Sequence, residues 1–184
     1  MRALATATVP ALVALLGASA GSALTLTSPD LAPGGRIAME QAFDGADCPG
    51  RNVSPALVWS DAPEGTQSFA VTCYDPDAPT GSGFWHWVVF DIPADVTELP
   101  TGAGSGDMAG LPEGAKHARN DTGAPGYLGA APPPGHGEHR YVFTVYALGV
   151  PTLDLDESAT PAYVGFNLTF NTLARGTIVA VYDR

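Results

Sequence analysis

The segment that most constrains the fold is a pair of apolar runs separated by a proline-rich turn, FAVTCYDPDAPTGSGFWHWVVFD. Residues 69–74 and 85–90 are rich in β-branched and aromatic side chains, which is typical of buried strands. The intervening DPDAP cannot continue a strand because each proline removes a backbone donor, and TGSG is flexible turn material. The segment therefore predicts strand, turn and strand, with one polar ring, His86, among apolar neighbours.

A second polar loop, GYLGAAPPPGHGEHRY at residues 126–141, leads into another apolar run. That run, residues 141–148, is apolar on both sides and predicts a central strand in a sheet that is covered on both faces. The loop brings His136 and His139 towards the start of this strand. Two polar loops that each abut a strand and each carry histidine predict two halves of one site.

The rest of the chain predicts short strands and little helix, because 22 glycines and 17 prolines indicate many turns. Residues 160–173 are the best helix candidate, since Pro161 suits a first helical turn and Val164 and Leu168 share a face. The 184 residues contain no repeat and no interior linker, so we expect one mainly β domain over residues 24–184. The remaining strands are predicted at 24–31, 36–43, 57–59 and 176–183.

The N-terminus has the pattern of a signal peptide over residues 1–23. One arginine is followed by an apolar core at residues 9–16 and by small residues up to Ala23, with cleavage after Ala20 as the alternative. We therefore expect a periplasmic or secreted protein. No other stretch approaches the ~20 apolar residues that a membrane span needs, so no span is expected after cleavage.

The net charge of −11, with a single lysine, argues against a nucleic-acid partner because phosphate backbones require clustered Lys and Arg. An anionic membrane surface is disfavoured for the same reason. Any anionic ligand must therefore be held by local groups, against the field of the whole protein.

The two cysteines leave two alternatives open. In an oxidising compartment Cys48 and Cys73 are a candidate disulfide pair. The alternative is two separate thiols, with Cys73 as a small core residue in its strand.

A zinc site formed by His86, His136, His139 and an aspartate is conceivable, but no ligand spacing requires it. We expect no metal and no cofactor.

The chemistry predicted for the first loop is anion binding by His86. Asp75 lies at the end of one predicted strand, and His86 lies at the start of the next. We therefore expect the Asp75 carboxylate to fix the tautomer of the His86 imidazole and to raise the pKa of this ring. Binding of an anion should then strengthen as pH falls, and a pH-independent affinity would contradict this. The alternatives are a hydrogen-bonded core histidine and aspartates that cap turn amides.

The second loop is predicted to contribute His139, which abuts the strand, in preference to His136. The N–H groups of Gly129, Gly135 and Gly137 are expected to approach the anion closely, and Arg140 either joins them or pairs with an aspartate. No activated nucleophile is predicted, since GxSxG is absent. We therefore expect a protein that is not an enzyme, with acid–base chemistry by Asp75 and His86 left open.

Several motifs occur together in this order: Asp75-Pro-Asp-Ala-Pro79, Trp85-His86-Trp87, Gly126-Tyr127, Pro132-Pro133 and His139-Arg140-Tyr141. With Asn52-Val-Ser-Pro55 and Arg119-Asn-Asp121 they resemble the phosphatidylethanolamine-binding protein (PEBP) family, and more closely its bacterial branch of Raf-kinase-inhibitor-like proteins. The resemblance covers nearly all of the chain after the signal peptide. It implies a mainly β fold with a large central antiparallel-rich sheet, a smaller second sheet and one or two short helices.

The resemblance also implies a small pocket for phosphate or a phosphorylated head group. Ala131 stands where eukaryotic relatives have glycine, and its methyl group is expected to narrow the pocket. A protein-interaction or inhibitor role that uses the pocket rim is the alternative function. Carried over position by position, the ligand-binding residues would be Asp75, Ala78, Trp85, His86, Gly129, Ala131, Pro132, His139 and Tyr141.

Overall fold

The computed structural model describes residues 24–45 and 47–184. The predicted signal peptide, residues 1–23, lies outside the described residues. Within the described residues, no helix is long and apolar enough to cross a membrane.

A five-stranded antiparallel sheet forms the centre of the fold. Its middle strand is almost entirely buried, as expected for the β-branched and aromatic run that composes it. Across the sheet the strands are β10 (Thr172–Tyr182), β9 (His139–Leu148), β5 (Ser68–Asp75), β6 (Phe84–Pro93) and β8 (Lys116–His117).

A smaller sheet and a short hairpin lie beside this central sheet. The smaller sheet is antiparallel and has the order β1 (Thr25–Thr27), β4 (Leu57–Ser60) and β7 (Glu98–Leu99). The hairpin pairs β2 (Asp44–Gly45) with β3 (Cys48–Pro49). The predicted fold class, mainly β with a large sheet, a second smaller sheet and a short helix, is confirmed.

The helix α1 spans Pro161–Asn171, close to the predicted 160–173. Thr160 caps its first turn by accepting from the Tyr163 N–H at 3.3 Å, and Pro161 occupies the first helical position, where no backbone donor is lost. Val164 and Leu168 are the buried face, as the spacing predicted.

Apolar residues are buried on both faces of the central sheet. One cluster, which includes Trp59, Phe69 and Trp87, lies between the central sheet and the smaller sheet. The other packs Val88 and Phe90 of β6 against the buried face of α1. Because β5 and β6 are covered on both sides, polar side chains can reach solvent only at the strand ends, where the polar loops begin.

One prediction about local structure is wrong: residues 36–43 form turns and isolated bridges rather than a strand. Of the two alternatives left open for Cys48 and Cys73, the structure has the second, two free and buried thiols rather than a disulfide. Cys73 lies inside the central sheet, and Cys48 lies on the separate hairpin with its Sγ 3.7 Å from the Ala130 carbonyl oxygen. Both therefore act as small core residues.

Candidate functional site

Asp75 and His139 meet at one end of the central sheet. The antiparallel pairing of β5 with β9 places the last residue of β5 beside the first residues of β9. Asp75 Oδ2 accepts a hydrogen bond from His139 Nδ1 at 2.7 Å, and both side chains are buried. Asp75 Oδ1 accepts from the Asp77 N–H at 2.8 Å, so both carboxylate oxygens already have donors.

The predicted contact between Asp75 and His86 is therefore wrong. The tautomer of His86 is set instead by a backbone group, because Nδ1 donates to the Leu128 carbonyl oxygen at 2.9 Å. The pKa of His86 is lowered rather than raised, since burial outweighs the backbone groups of Leu128 and Gly129 and the charges of Asp75 and Asp121. The Gly129 backbone lies near the ring, but no hydrogen bond of ordinary geometry to Nε2 of His86 is formed by the described residues, so Nε2 is the nitrogen left for a ligand.

Tyr141 stands beside His86 with its hydroxyl unpaired. The ring centroids of the two residues lie 5.1 Å apart in an edge-on arrangement. Burial, and then the charge of Asp75, raise the pKa of Tyr141, so the hydroxyl keeps its proton. The Ala131 backbone lies near this buried hydroxyl, but no hydrogen bond of ordinary geometry to it is formed within the described part of the chain. A buried unpaired hydroxyl costs about 1–3 kcal/mol, which a ligand oxygen could recover.

These groups line one cavity of about 250 Å³. Most of its wall is apolar, and the titratable side chains are confined to Asp75, His86, His139 and Tyr141. The predicted residues that line it are Asp75, Ala78, His86, Ala131, Pro132, His139 and Tyr141; Pro79, Thr80, Phe84, Leu128 and Pro133 complete the lining.

Trp85 and Gly129, which were predicted to bind the ligand, do not line this cavity. Neighbouring residues on a strand point to opposite faces, so Trp85 faces away from His86. It packs on Tyr74, with ring centroids 4.5 Å apart, and lines a separate groove of about 630 Å³ beside Tyr146 and α1.

The loop glycines serve packing rather than an anion. The Gly129 N–H donates to Asn52 Oδ1 at 2.6 Å, and a Cβ at Gly129 would come within 2.4 Å of the Ala42 carbonyl carbon. The Gly135 N–H donates to the Arg184 carbonyl oxygen at 2.9 Å. The expectation that these two N–H groups face an anion is therefore wrong.

Arg140 forms the structural pair that was one of its two predicted alternatives. Its Nε and one terminal nitrogen donate to the two carboxylate oxygens of Asp77 at 2.9 and 2.8 Å. The hydrogen bonds from Arg140 hold the pKa of Asp77 at about 2. This pair ties the DPDAP turn to β9, so it positions the site and does not face the cavity.

Two residues that support the site were not singled out for this role from the sequence. The Asn52 amide donates to the Tyr127 carbonyl oxygen at 3.1 Å and accepts from the Gly129 N–H, which holds the segment that carries Leu128. Arg184 donates to the Pro132 carbonyl oxygen and, at 2.6 Å, to that of Asp47. Asn52 could have been recognised from its place in the Asn-Val-Ser-Pro motif, whereas Arg184 had no sequence signal.

No cluster of three or more His, Cys, Asp or Glu side chains in residues 24–45 and 47–184 is arranged to hold a metal ion. In particular, His136 and His139 face each other, with His136 Nδ1 2.8 Å from His139 Nε2. This hydrogen bond occupies two of the ring nitrogens of the predicted zinc alternative, His136 Nδ1 and His139 Nε2.

Comparison with known proteins gives one consistent result. The sequence profile of the family described as phosphatidylethanolamine-binding protein matches residues 27–183. UPF0098 protein YbhB of Escherichia coli is 51% identical over 160 residues, which are 87% of this chain and 100% of YbhB. UPF0098 protein YbcL of the same organism is 45% identical over 183 residues, covering 100% of this chain and 99% of YbcL.

Solved structures agree with the sequence comparisons. The crystal structure of E. coli YbcL, described as a new member of the mammalian PEBP family, superposes with a TM-score of 0.86 at 47% identity, over 89% of this chain and 99% of that one. A PEBP homolog from Chlamydia trachomatis superposes with a TM-score of 0.73 at 27% identity, over 88% of this chain and 98% of that one.

Proposed function

The chain belongs to the phosphatidylethanolamine-binding protein family, and from this premise we propose that it binds a small anion or a phosphorylated head group in the cavity beside His86. The observation that carries the proposal is the convergence of an unpaired His86 nitrogen and an unpaired Tyr141 hydroxyl on one small, largely apolar cavity. Such a cavity, with few polar groups that converge, is the usual form of a small-ligand site.

The charge of Asp75 does not prevent an anion from binding. Its two oxygens accept from His139 and from the Asp77 N–H, so the carboxylate is already compensated inside the protein. A bound anion would stabilise the protonated form of His86, whose Nε2–H would then donate to it. Tyr141 would donate the second hydrogen bond.

We propose binding without catalysis. The hydroxyls that line the cavity belong to Thr80 and Tyr141, and Thr80 donates to the Gly83 carbonyl oxygen. Neither hydroxyl makes a hydrogen bond to a general base among the described residues, which activation as a nucleophile would require. Both carboxylate oxygens of Asp75 already accept hydrogen bonds, from His139 and from the Asp77 N–H. Absence of turnover of phosphoesters by the wild-type protein is the result expected.

We also propose export, because the N-terminal pattern lies ahead of residue 27, where the match to the family begins. The ligand would then be periplasmic or extracellular. Mass spectrometry of the protein recovered from the periplasm or the medium should show a new N-terminus at residue 24. Recovery of the unprocessed chain from the cytoplasm would contradict this.

The second candidate function is a protein-interaction or inhibitor module that uses the rim of the same cavity. It is favoured by the exposure of Pro79, Thr80 and Pro133 at the rim. Prolines are already restricted in conformation, so a partner that contacts this rim would order little additional backbone.

Calorimetric and NMR titrations with phosphate and phosphoethanolamine test the proposal. His86→Ala should weaken binding at least about tenfold, because it removes the charged donor. His117→Leu is the matched control, since His117 is also buried on a strand of this sheet but lies outside the cavity lining. Equal affinity in wild type and His86→Ala would reject the anion site and favour the interaction module.

A further inference from the structure

His139 has no ring nitrogen available to a ligand. Nδ1 donates to Asp75 Oδ2 at 2.7 Å, and Nε2 lies 2.8 Å from Nδ1 of His136. We propose that His136 is the gate residue of the cavity: it holds the one nitrogen of His139 that an anion could use, and an anion gains that nitrogen only when His136 moves away. This inference rests on the proposed function and names the residue that sets its affinity.

The proton positions follow from the partners of His139. The Asp75 carboxylate only accepts, so Nδ1 of His139 carries a hydrogen. If His139 is neutral, its Nε2 has a lone pair and His136 donates to it. If His139 is charged, its Nε2–H donates to His136 instead. In both cases the single hydrogen bond of Nε2 goes to His136, and a competing anion must replace it.

The local backbone gives His136 room to leave. His136 is exposed, whereas His139 is buried. Gly135 and Gly137, on either side of His136, have φ values of 72° and 96°, which favour glycine. A Cβ on either residue would meet nothing within 4 Å. The His136 N–H donates to the Pro133 carbonyl oxygen at 3.1 Å, so the backbone at this position is held. A change of the His136 side-chain rotamer therefore separates the two rings while the turn stays in place.

The base of the same loop is fixed. The Gly135 N–H donates to the Arg184 carbonyl oxygen at 2.9 Å, and the Arg184 guanidinium donates to the Pro132 carbonyl oxygen. Pro132 lines the cavity, so the wall stays in place while the His136 side chain moves. Opening of the gate thus exposes Nε2 of His139 without dismantling the site.

The test compares the affinity of inorganic phosphate and of phosphoethanolamine for wild type, His136→Ala and Glu138→Gln by calorimetry. Removal of the gate should strengthen binding roughly three- to tenfold, the value of one net hydrogen bond. Glu138→Gln is the control for charge, because Glu138 is exposed on the same loop. An increase in anion affinity that comes from the loss of negative charge in Glu138→Gln becomes smaller at high salt. An increase that comes from the loss of the hydrogen bond in His136→Ala persists at high salt.

A second readout is the ¹⁵N–¹⁵N coupling across the hydrogen bond between His136 Nδ1 and His139 Nε2. It should be present in the free wild-type protein and disappear when phosphate saturates the site. Tighter binding by His136→Ala, or binding by that variant alone, supports the gate.

Unchanged or weaker binding by His136→Ala overturns the gate and leaves the anion site intact. Coupling that persists at saturation overturns it as well. Failure of both proteins to bind either probe overturns the gate together with the proposed function.

Discussion

His86 and His117 lie on adjacent strands of one sheet and are both buried, yet their surroundings differ. His86 has one nitrogen bonded to a backbone carbonyl and the other free beside a cavity. His117 stacks on Trp87, with ring centroids 6.4 Å apart, and neither of its ring nitrogens has a partner among the described residues. Burial lowers the pKa of both rings, that of His117 to about 4.

The comparison shows that burial alone does not make a binding group. Burial keeps both imidazoles neutral, which is unhelpful for holding an anion. His86 differs because its ring orientation is set by Leu128 and because a ligand can reach the opposite nitrogen. His117 has the same imidazole side chain but does not line the cavity. Its buried nitrogens, which form no hydrogen bond with the described residues, lower the stability of the folded protein.

The pKa of His117 predicts the greatest change in stability. Its pKa is lowered from the ordinary 6.5 to about 4 in the folded protein, so the unfolded chain binds the proton first as pH falls. Above pH 6.5 His117 is neutral in both the folded and the unfolded state, so its titration does not lower the free energy of unfolding. As pH falls towards 4, proton uptake by the unfolded chain lowers the free energy of unfolding by about 3 kcal/mol. His117→Leu should remove that loss while leaving phosphate affinity unchanged.

Urea unfolding of wild type and His117→Leu between pH 4.5 and 7.5 measures this effect. The free energies of unfolding should diverge as pH falls, with the variant retaining more stability. Parallel curves would show that His117 does not titrate differently in the folded and unfolded states.

The next effect concerns the support of His86. Asn52→Ala removes the amide that holds the segment 127–129, including the carbonyl group that accepts from His86. Two lost hydrogen bonds should lower the free energy of unfolding by about 2 kcal/mol and weaken anion binding. Asn167→Ala is the control, because the Asn167 amide donates only within α1, to the Tyr163 carbonyl oxygen.

Chemical denaturation at pH 7 compares these two asparagine variants directly. The control should change the free energy of unfolding by less than about 0.5 kcal/mol, as is usual for a half-exposed surface position away from the core. If Asn52→Ala is equally mild, then the segment that orients His86 is held by its other contacts.

The smallest predicted effect is the pH dependence of anion binding by His86. Because burial places its pKa below 6.5, the ring is neutral at pH 7.5 and must take up a proton when an anion binds. Affinity should rise as pH falls, by up to about tenfold per pH unit, which is about 1.4 kcal/mol. The charges that face the ring, Asp75 and Asp121, limit how low its pKa falls.

Sulfate suits this measurement because its charge is constant over the pH range. The slope should persist in His117→Leu and be lost in His86→Gln. A slope that survives in His86→Gln would assign the proton uptake to another group of the cavity.

Much of the fold was predictable because local composition is enough to identify its elements. The apolar runs of β5, β6 and β9 lie between Gly- and Pro-rich segments, and Pro161 marks the start of α1. Very short strands such as β7 and β8 could not be found, because two residues carry no periodic pattern. The absence of a strand at 36–43 likewise depends on contacts with distant segments.

The amino-acid sequence alone was enough to identify the kinds of residue in the candidate site and the two loops that supply them. It also determined that Trp85 and His86 face opposite sides, since alternation along a strand is a local property. Which of these side chains are hydrogen-bonded to each other is visible only in the folded protein. Asp75 is 11 positions from His86 and 64 from His139, yet it bonds His139. The antiparallel pairing of β5 with β9 brings together the ends of strands that are distant in sequence, and the covalent order of the chain does not specify which strands will be neighbours.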